Sequence, residues 1–249
     1  MSRLYLVLLS FGLFSCSTDS FVPCSEGDDG ELCREYRYYN DSPEGFVAFS
    51  KVDDSVEVAR IHDRFSELQK TIITRFENGK TTIITEQFPD KDSKVQSWHY
   101  NEFDSLSTIV YGANDSLIEI IYEDGKRSRK NVFHLNVLQR YLTYRYYQDD
   151  GKLYRISAYN SNDSLVAYWN HDYFSTGQNR ISYYTSTHQL TGRYVYNFSS
   201  ADLLLSAKLT NADGEVIEYA EYDYDNSGRL IESRQEKNQG VFKSVFLYY

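Results

Sequence analysis

The sequence predicts an all-β protein: an antiparallel meander of repeated β-hairpins forming an extended or curved sheet, preceded by an N-terminal signal segment. Three observations carry this. Long stretches alternate large apolar and polar residues with period two, so that Tyr194, Tyr196 and Phe198 share one strand face and Arg193, Val195 and Asn197 the other. Turn dipeptides punctuate the chain at short intervals. Of 249 residues 24 are tyrosine and only 3 are proline, a composition that suits pleated, half-buried surfaces and argues against disorder.

The first 15 residues read as a processing signal. Arg3 precedes an apolar stretch, Leu4 to Phe14, that is too short to span a bilayer. It ends in Leu13-Phe14-Ser15-Cys16, which resembles a bacterial lipoprotein cleavage box; the resemblance implies lipidation of Cys16, with palmitate among the acyl groups. Ser17 rather than aspartate follows, which by the same resemblance implies an outer-membrane lipoprotein of the cell envelope. Residues 16–34 are then a polar tether. With Cys16 lipidated, Cys24 and Cys33 remain as a pair in an oxidising compartment, and a disulfide between them would close an acidic loop. That loop clusters four carboxylates but lacks the alternation of a calcium-binding loop, so no metal is assigned to it.

Residues 35–249 form the predicted hairpin-repeat domain. Asp54 to Lys70 places Val58, Ile61, Phe65 and Leu68 at helical spacing, yet Val56, Val58 and Ile61 also fit a strand with a bend, and the strand is the preferred reading. Asn78-Gly79 is the strongest hairpin signal, joined by Asp124-Gly125, Asp150-Gly151 and Asp213-Gly214. Asp104-Ser105-Leu106, Asp115-Ser116-Leu117 and Asp163-Ser164-Leu165 repeat one tripeptide. Its aspartate is expected to bond its own backbone two residues on and start a turn. A loop at 88–95, with Pro89 and a charge cluster, suggests a sub-break. Strand-opening residues from Leu153 to Leu230 recur every 9 to 16 residues, the spacing of an all-β array. The terminal run Val245 to Tyr249 is an apolar strand, expected either to be covered within its own sheet or to serve as a docking edge.

Tyr222-Asp223-Tyr224-Asp225-Asn226-Ser227-Gly228-Arg229-Leu230 resembles the YD repeat of bacterial rearrangement-hotspot (RHS) and wall-associated proteins. Tyr146 to Leu153 and Tyr196 to Leu203 are degenerate copies. The resemblance spans residues 141 to 233 and implies strand-turn-strand units. The nearest likeness is to short Bacteroidetes-type lipoproteins with such repeats.

Function is less legible. The formal net charge of −10 excludes a basic nucleic-acid footprint. No metal-ligand spacing, nucleophile elbow or phosphate loop is present, so no enzyme and no cofactor are expected. Two aromatic clusters hold both tryptophans: Trp98, His99 and Tyr100, and Trp169, His171 and Tyr173. Either each is a packed strand, or they form a ligand platform, as one shared site or two separate ones, for a glycan or peptide. The favoured role is a lipid-anchored envelope β-repeat protein that binds or scaffolds, its partners being the membrane through the anchor and an envelope protein or glycan. A subunit pairing through sheet edges and a carbohydrate-active enzyme are the alternatives.

Overall fold

The structure is a computed structural model that describes residues 32–112 and 116–248. Its strands are β1 (Leu32–Tyr39), β2 (Ser42–Asp53), β3 (Val56–Asp63), β4 (Leu68–Glu77), β5 (Lys80–Phe88) and β6 (Lys91–Tyr100). Then come β7 (Leu106–Tyr111), β8 (Ser116–Glu123), β9 (Lys126–His134), β10 (Val137–Tyr146), β11 (Leu153–Asn160) and β12 (Leu165–Phe174). The last six are β13 (Gln178–Thr185), β14 (Leu190–Phe198), β15 (Leu204–Asn211), β16 (Val216–Tyr224), β17 (Leu230–Lys237) and β18 (Gly240–Tyr248).

Each strand pairs antiparallel with its successor, and β18 returns to pair with β1 from Leu32↔Tyr248 to Tyr39↔Phe242. The sheet is therefore a closed up-and-down barrel, which corrects the expected extended or curved open sheet. Local patterning specifies hairpins equally well in an open strip and in a ring; the contact between the first and last strands decides between them. Closure removes every free edge among the described strands. The terminal run that could have been a docking edge lies between β17 and β1, and the edge-pairing alternative has no edge to use. At the seam, the buried Glu35 takes a hydrogen bond from Ser244 Oγ at 2.9 Å and pairs with Arg37 Nε at 2.9 Å.

Asp54 to Lys70 is β3, a turn and the start of β4, as the strand-with-bend reading has it. Pro89-Asp90 is a two-residue turn between β5 and β6, whose pairing is continuous with the rest of the ring. Asn78-Gly79 and Asp124-Gly125 have positive φ at both residues, the geometry of a tight hairpin turn. Leu135-Asn136 and Asn40-Asp41 adopt the same geometry without glycine.

A second turn recurs at both rims. In the best YD copy, Asp225 Oδ1 accepts the N–H groups of Ser227 and Arg229, both at 2.9 Å, and Gly228 takes positive φ. Asn101, Asn160, Ser199 and Asn211 cap in the same way, and the residue three positions on has positive φ each time. This corrects the reading of two copies of the repeated tripeptide; Asp115 of the third lies outside the described residues. Asp104 and Asp163 are the left-handed residues, and Asn101 and Asn160 do the capping. Aspartate tolerates positive φ, so it stands where Gly228 stands in the YD copy.

Tyrosines brace the rim at which even strands end. Tyr100, Tyr122, Tyr146, Tyr224 and Tyr248 donate to the carbonyls of Thr81, Leu106, Arg127, Leu204 and Leu230, at 2.7–3.0 Å. Each lies at or beside the end of its strand, and each carbonyl belongs to the preceding strand. A leucine could pack there but could not make this bond, which is one reason for the bias toward tyrosine.

Candidate functional site: the barrel interior

The pair register divides the side chains into two faces that stay consistent around the whole ring. One face carries Val47, Ile61, Trp98, Ile118, Leu142, Trp169, Tyr183, Tyr194, Tyr196, Ala207, Ala220, Tyr222 and Phe246. The other carries Arg60, Arg75, Arg129, Arg145, Arg155, Arg193, Lys208, Glu221 and Arg234.

The first face is concave. Its tyrosines are pushed toward higher pKa chiefly by burial, and Tyr196 reaches about 12. Tyr196 on β14 also feels Tyr183 on β13 and Tyr222 on β16, so side chains from separate strands converge there. On the other face, Tyr141 and Tyr219 are raised first by hydrogen bonds to Asp163 and Glu221. The exposed apolar residues in mid-strand, such as Val95, Val110, Ile121, Val166 and Ile217, are also on that outer face. The aromatic face therefore lines the interior and the charged face meets the surroundings.

This orientation has a consequence. A lipid-facing barrel needs an apolar outer band, and arginine or lysine at mid-membrane costs about 2–4 kcal/mol each. Here arginine and lysine occur on the outer face of β3, β4, β9–β11, β14, β15 and β17, so the outer wall is built for water. Several outer cations lie flat on rings: the guanidinium carbons of Arg129 and Arg155 sit 3.7 and 3.9 Å from the centroids of Tyr141 and Tyr168.

Among the described residues, no strand has a Cα within 8 Å of any strand except its two neighbours. Eighteen strands about 4.8 Å apart give a perimeter of at least about 86 Å, and a round ring of that perimeter is at least about 27 Å across. Barrels of this strand number enclose an aqueous lumen rather than a solid core. The lining agrees: most inward residues are only part-buried, and Val47 is the one large side chain that is fully buried among the described residues.

The densest aromatic arc runs over β12–β16. Trp169 stacks on Tyr183 with centroids 6.1 Å apart, Tyr183 meets Tyr194 edge-on at 6.0 Å, and Tyr194 stacks on Tyr196 at 5.6 Å. Small residues, Gly192, Ala207 and Ala220, occupy inward positions between them. A side chain at Gly192 would press on the Thr210 carbonyl oxygen at 2.7 Å.

Of the residues singled out from sequence, Trp98, Tyr100, Trp169, His171 and Tyr173 face inward, whereas His99 faces outward. The two clusters share one lumen but stand six strands apart on β6 and β12, so they do not touch. Both indoles are part-buried. Trp98 Nε1 and His171 Nε2 are shielded and make no hydrogen bond among the described residues. Burial lowers the His171 pKa, with Asp172 opposing, which favours the neutral ring. Cys33 is buried and disulfide-bonded; Cys16 and Cys24 lie outside the described residues. Sequence reading missed Tyr183 and Tyr222 as members of the aromatic arc and Glu218 beside them. Their alternation was visible, but which strands would stand beside them was not.

No known protein family matches the chain, and no curated protein does. Among solved structures it is similar to a porin-like protein from Bacteroides uniformis, with 9% identity over 89% of this chain and 99% of that one, at a TM-score of 0.49. A porin-like protein from Bacteroides vulgatus gives 9% identity over 88% and 98%, at 0.32. The TcdB2-TccC3-Cdc42 structure gives 11% identity over 84% of this chain and 16% of that one, at 0.34. Similarity at this level carries no functional weight. What the fold and lining define is a closed β-barrel with an aromatic interior and a charged exterior.

Proposed function

We propose that this chain is a ligand-binding protein of the bacterial cell envelope, tethered by a lipid on Cys16, that takes its ligand inside the barrel. The observation that supports this is the inward orientation of the tryptophans and most of the clustered tyrosines. Their flat faces offer stacking surfaces with little side-chain entropy left to lose. The ligand class that fits is an oligosaccharide, whose ring faces stack and whose hydroxyls meet the tyrosine hydroxyls. Binding is the role that the stacked aromatic lining supports. The charged outer wall fits a barrel held beside a membrane by its tether and not inserted in it.

The test uses the Cys16→Ser protein, purified without detergent. Titration with maltotetraose, xylotetraose and chitotetraose should change tryptophan emission and shield it from acrylamide. Trp169→Ala should remove most of the response. An emission unaffected by all three sugars, or a barrel that stays in solution only in detergent, would overturn the proposal.

A further inference from the structure

The inward face of β9 and β10 differs from the rest of the lumen. Lys130 stands opposite Leu142 and diagonal to Arg140, which stands opposite Val132. Diagonal neighbours on one face are about 7–8 Å apart, within reach of long side chains. Arg127 completes the row: it pairs with Tyr122 on β8, and its guanidinium carbon is 5.5 Å from the Tyr144 ring centroid. Three cations thus follow one strand seam.

No acid faces them. The flanking strands turn Ile118 and Ile120 of β8 and Ile156 and Ala158 of β11 to the same side. The nearby Glu119 points outward and accepts a hydrogen bond from Asn131. Several other inward cations have partners: Arg37 with Glu35, Lys70 with Glu86, and Lys237 with Glu218. In a chain with 36 acidic and 26 basic residues, three adjacent cations with no carboxylate beside them among the described residues are a departure from the general balance. Burial, then Arg127 and Arg140, lower the Lys130 pKa. Burial also works against the Arg127 charge, but the Tyr122 and Tyr144 hydroxyls outweigh it and the net shift is upward.

We infer that the β9–β10 seam is an anion subsite of the lumen, in which Lys130, Arg140 and Arg127 hold a carboxylate or phosphate group of the bound ligand. This rests on the lumen being the binding site and narrows the ligand to an acidic one. Both oxyanions accept several charge-assisted hydrogen bonds, which the row supplies with the Tyr144 hydroxyl beside it.

Calorimetry on the Cys16→Ser protein at low salt separates the two sources. Trigalacturonate supplies carboxylates, pyrophosphate supplies phosphate, and maltotriose is the neutral control. At least one anion should bind more tightly than maltotriose, and the tighter of the two names the source. Lys130→Met and Arg140→Gln should each weaken it roughly tenfold or more, while Lys208→Gln on the outer wall should leave it unchanged. Added salt should weaken it as well. Lys130→Met relieves repulsion, so its melting temperature at neutral pH should not fall, which separates lost binding from lost folding. The inference is overturned if neither anion outbinds maltotriose, or if both inward variants bind like the parent. Neutral-sugar quenching of tryptophan reports on the lumen separately, so the subsite can fail while the lumen reading stands.

Discussion

Raising the pH from 10 to 12 should unlatch the aromatic arc, and Tyr196 sets the scale. A free phenol titrates near 10 and Tyr196 in the fold near 12, chiefly because burial disfavours the phenolate. The folded pKa lies above the unfolded one. The stabilisation is therefore complete below pH 10 and is lost as pH rises toward 12. Two pKa units correspond to about 2.7 kcal/mol, and partial solvent contact reduces this to about 1–2 kcal/mol. Tyr183, Tyr194 and Tyr222 shift in the same direction, so their losses add. Tyr196→Phe cannot ionise. Its stability at neutral pH should stay within about 0.5 kcal/mol of the parent, since the hydroxyl has no hydrogen-bond partner among the described residues. At pH 12 it should be the more stable by about 1–2 kcal/mol. Tyrosinate absorbance read alongside circular dichroism and urea melts gives both curves. If all tyrosines ionise in one step near 10 with the fold intact, and Tyr196→Phe tracks the parent throughout, the inward placement of this face is wrong.

Three further outcomes follow from the same geometry. Glu35→Ala should cost about 2–4 kcal/mol in a urea melt, because it leaves Arg37 without its partner and strips Ser244 at the β1–β18 seam; an unchanged midpoint would show that the seam does not hold the ring. Gly45→Ala should cost about 2 kcal/mol or more, since φ is +147° and the new Cβ would collide with the His62 carbonyl; a melting curve like the parent's would refute this. The lowered Lys130 pKa means that its charge opposes folding, so stability should rise as pH climbs through the folded pKa toward 10.5, and Lys130→Met should flatten that rise.

How much of this was legible beforehand differs by level. Period-two alternation and turn residues specify strands and hairpins locally, so Tyr194 and Tyr196 could be placed on one face and Asn78-Gly79 in a tight turn from sequence alone. Asp104 and Asp163 were correctly located in turns but given the wrong task. Capping depends on which residue three positions earlier presents an oxygen, and a tripeptide does not contain it. The inward set needed more. Tyr183, Tyr196 and Tyr222 lie far apart in the chain, and register carried across several strands is what gathers them. The same holds for the row Arg127, Lys130 and Arg140. Each hairpin records its own pleat. Whether the strip stays open or closes, and so which face becomes the interior, was decided by the pairing of Leu32–Tyr39 with Gly240–Tyr248, residues separated by most of the chain. An alternating strand states that it has two faces; only the curvature of the closed ring makes one of them a wall around a lumen.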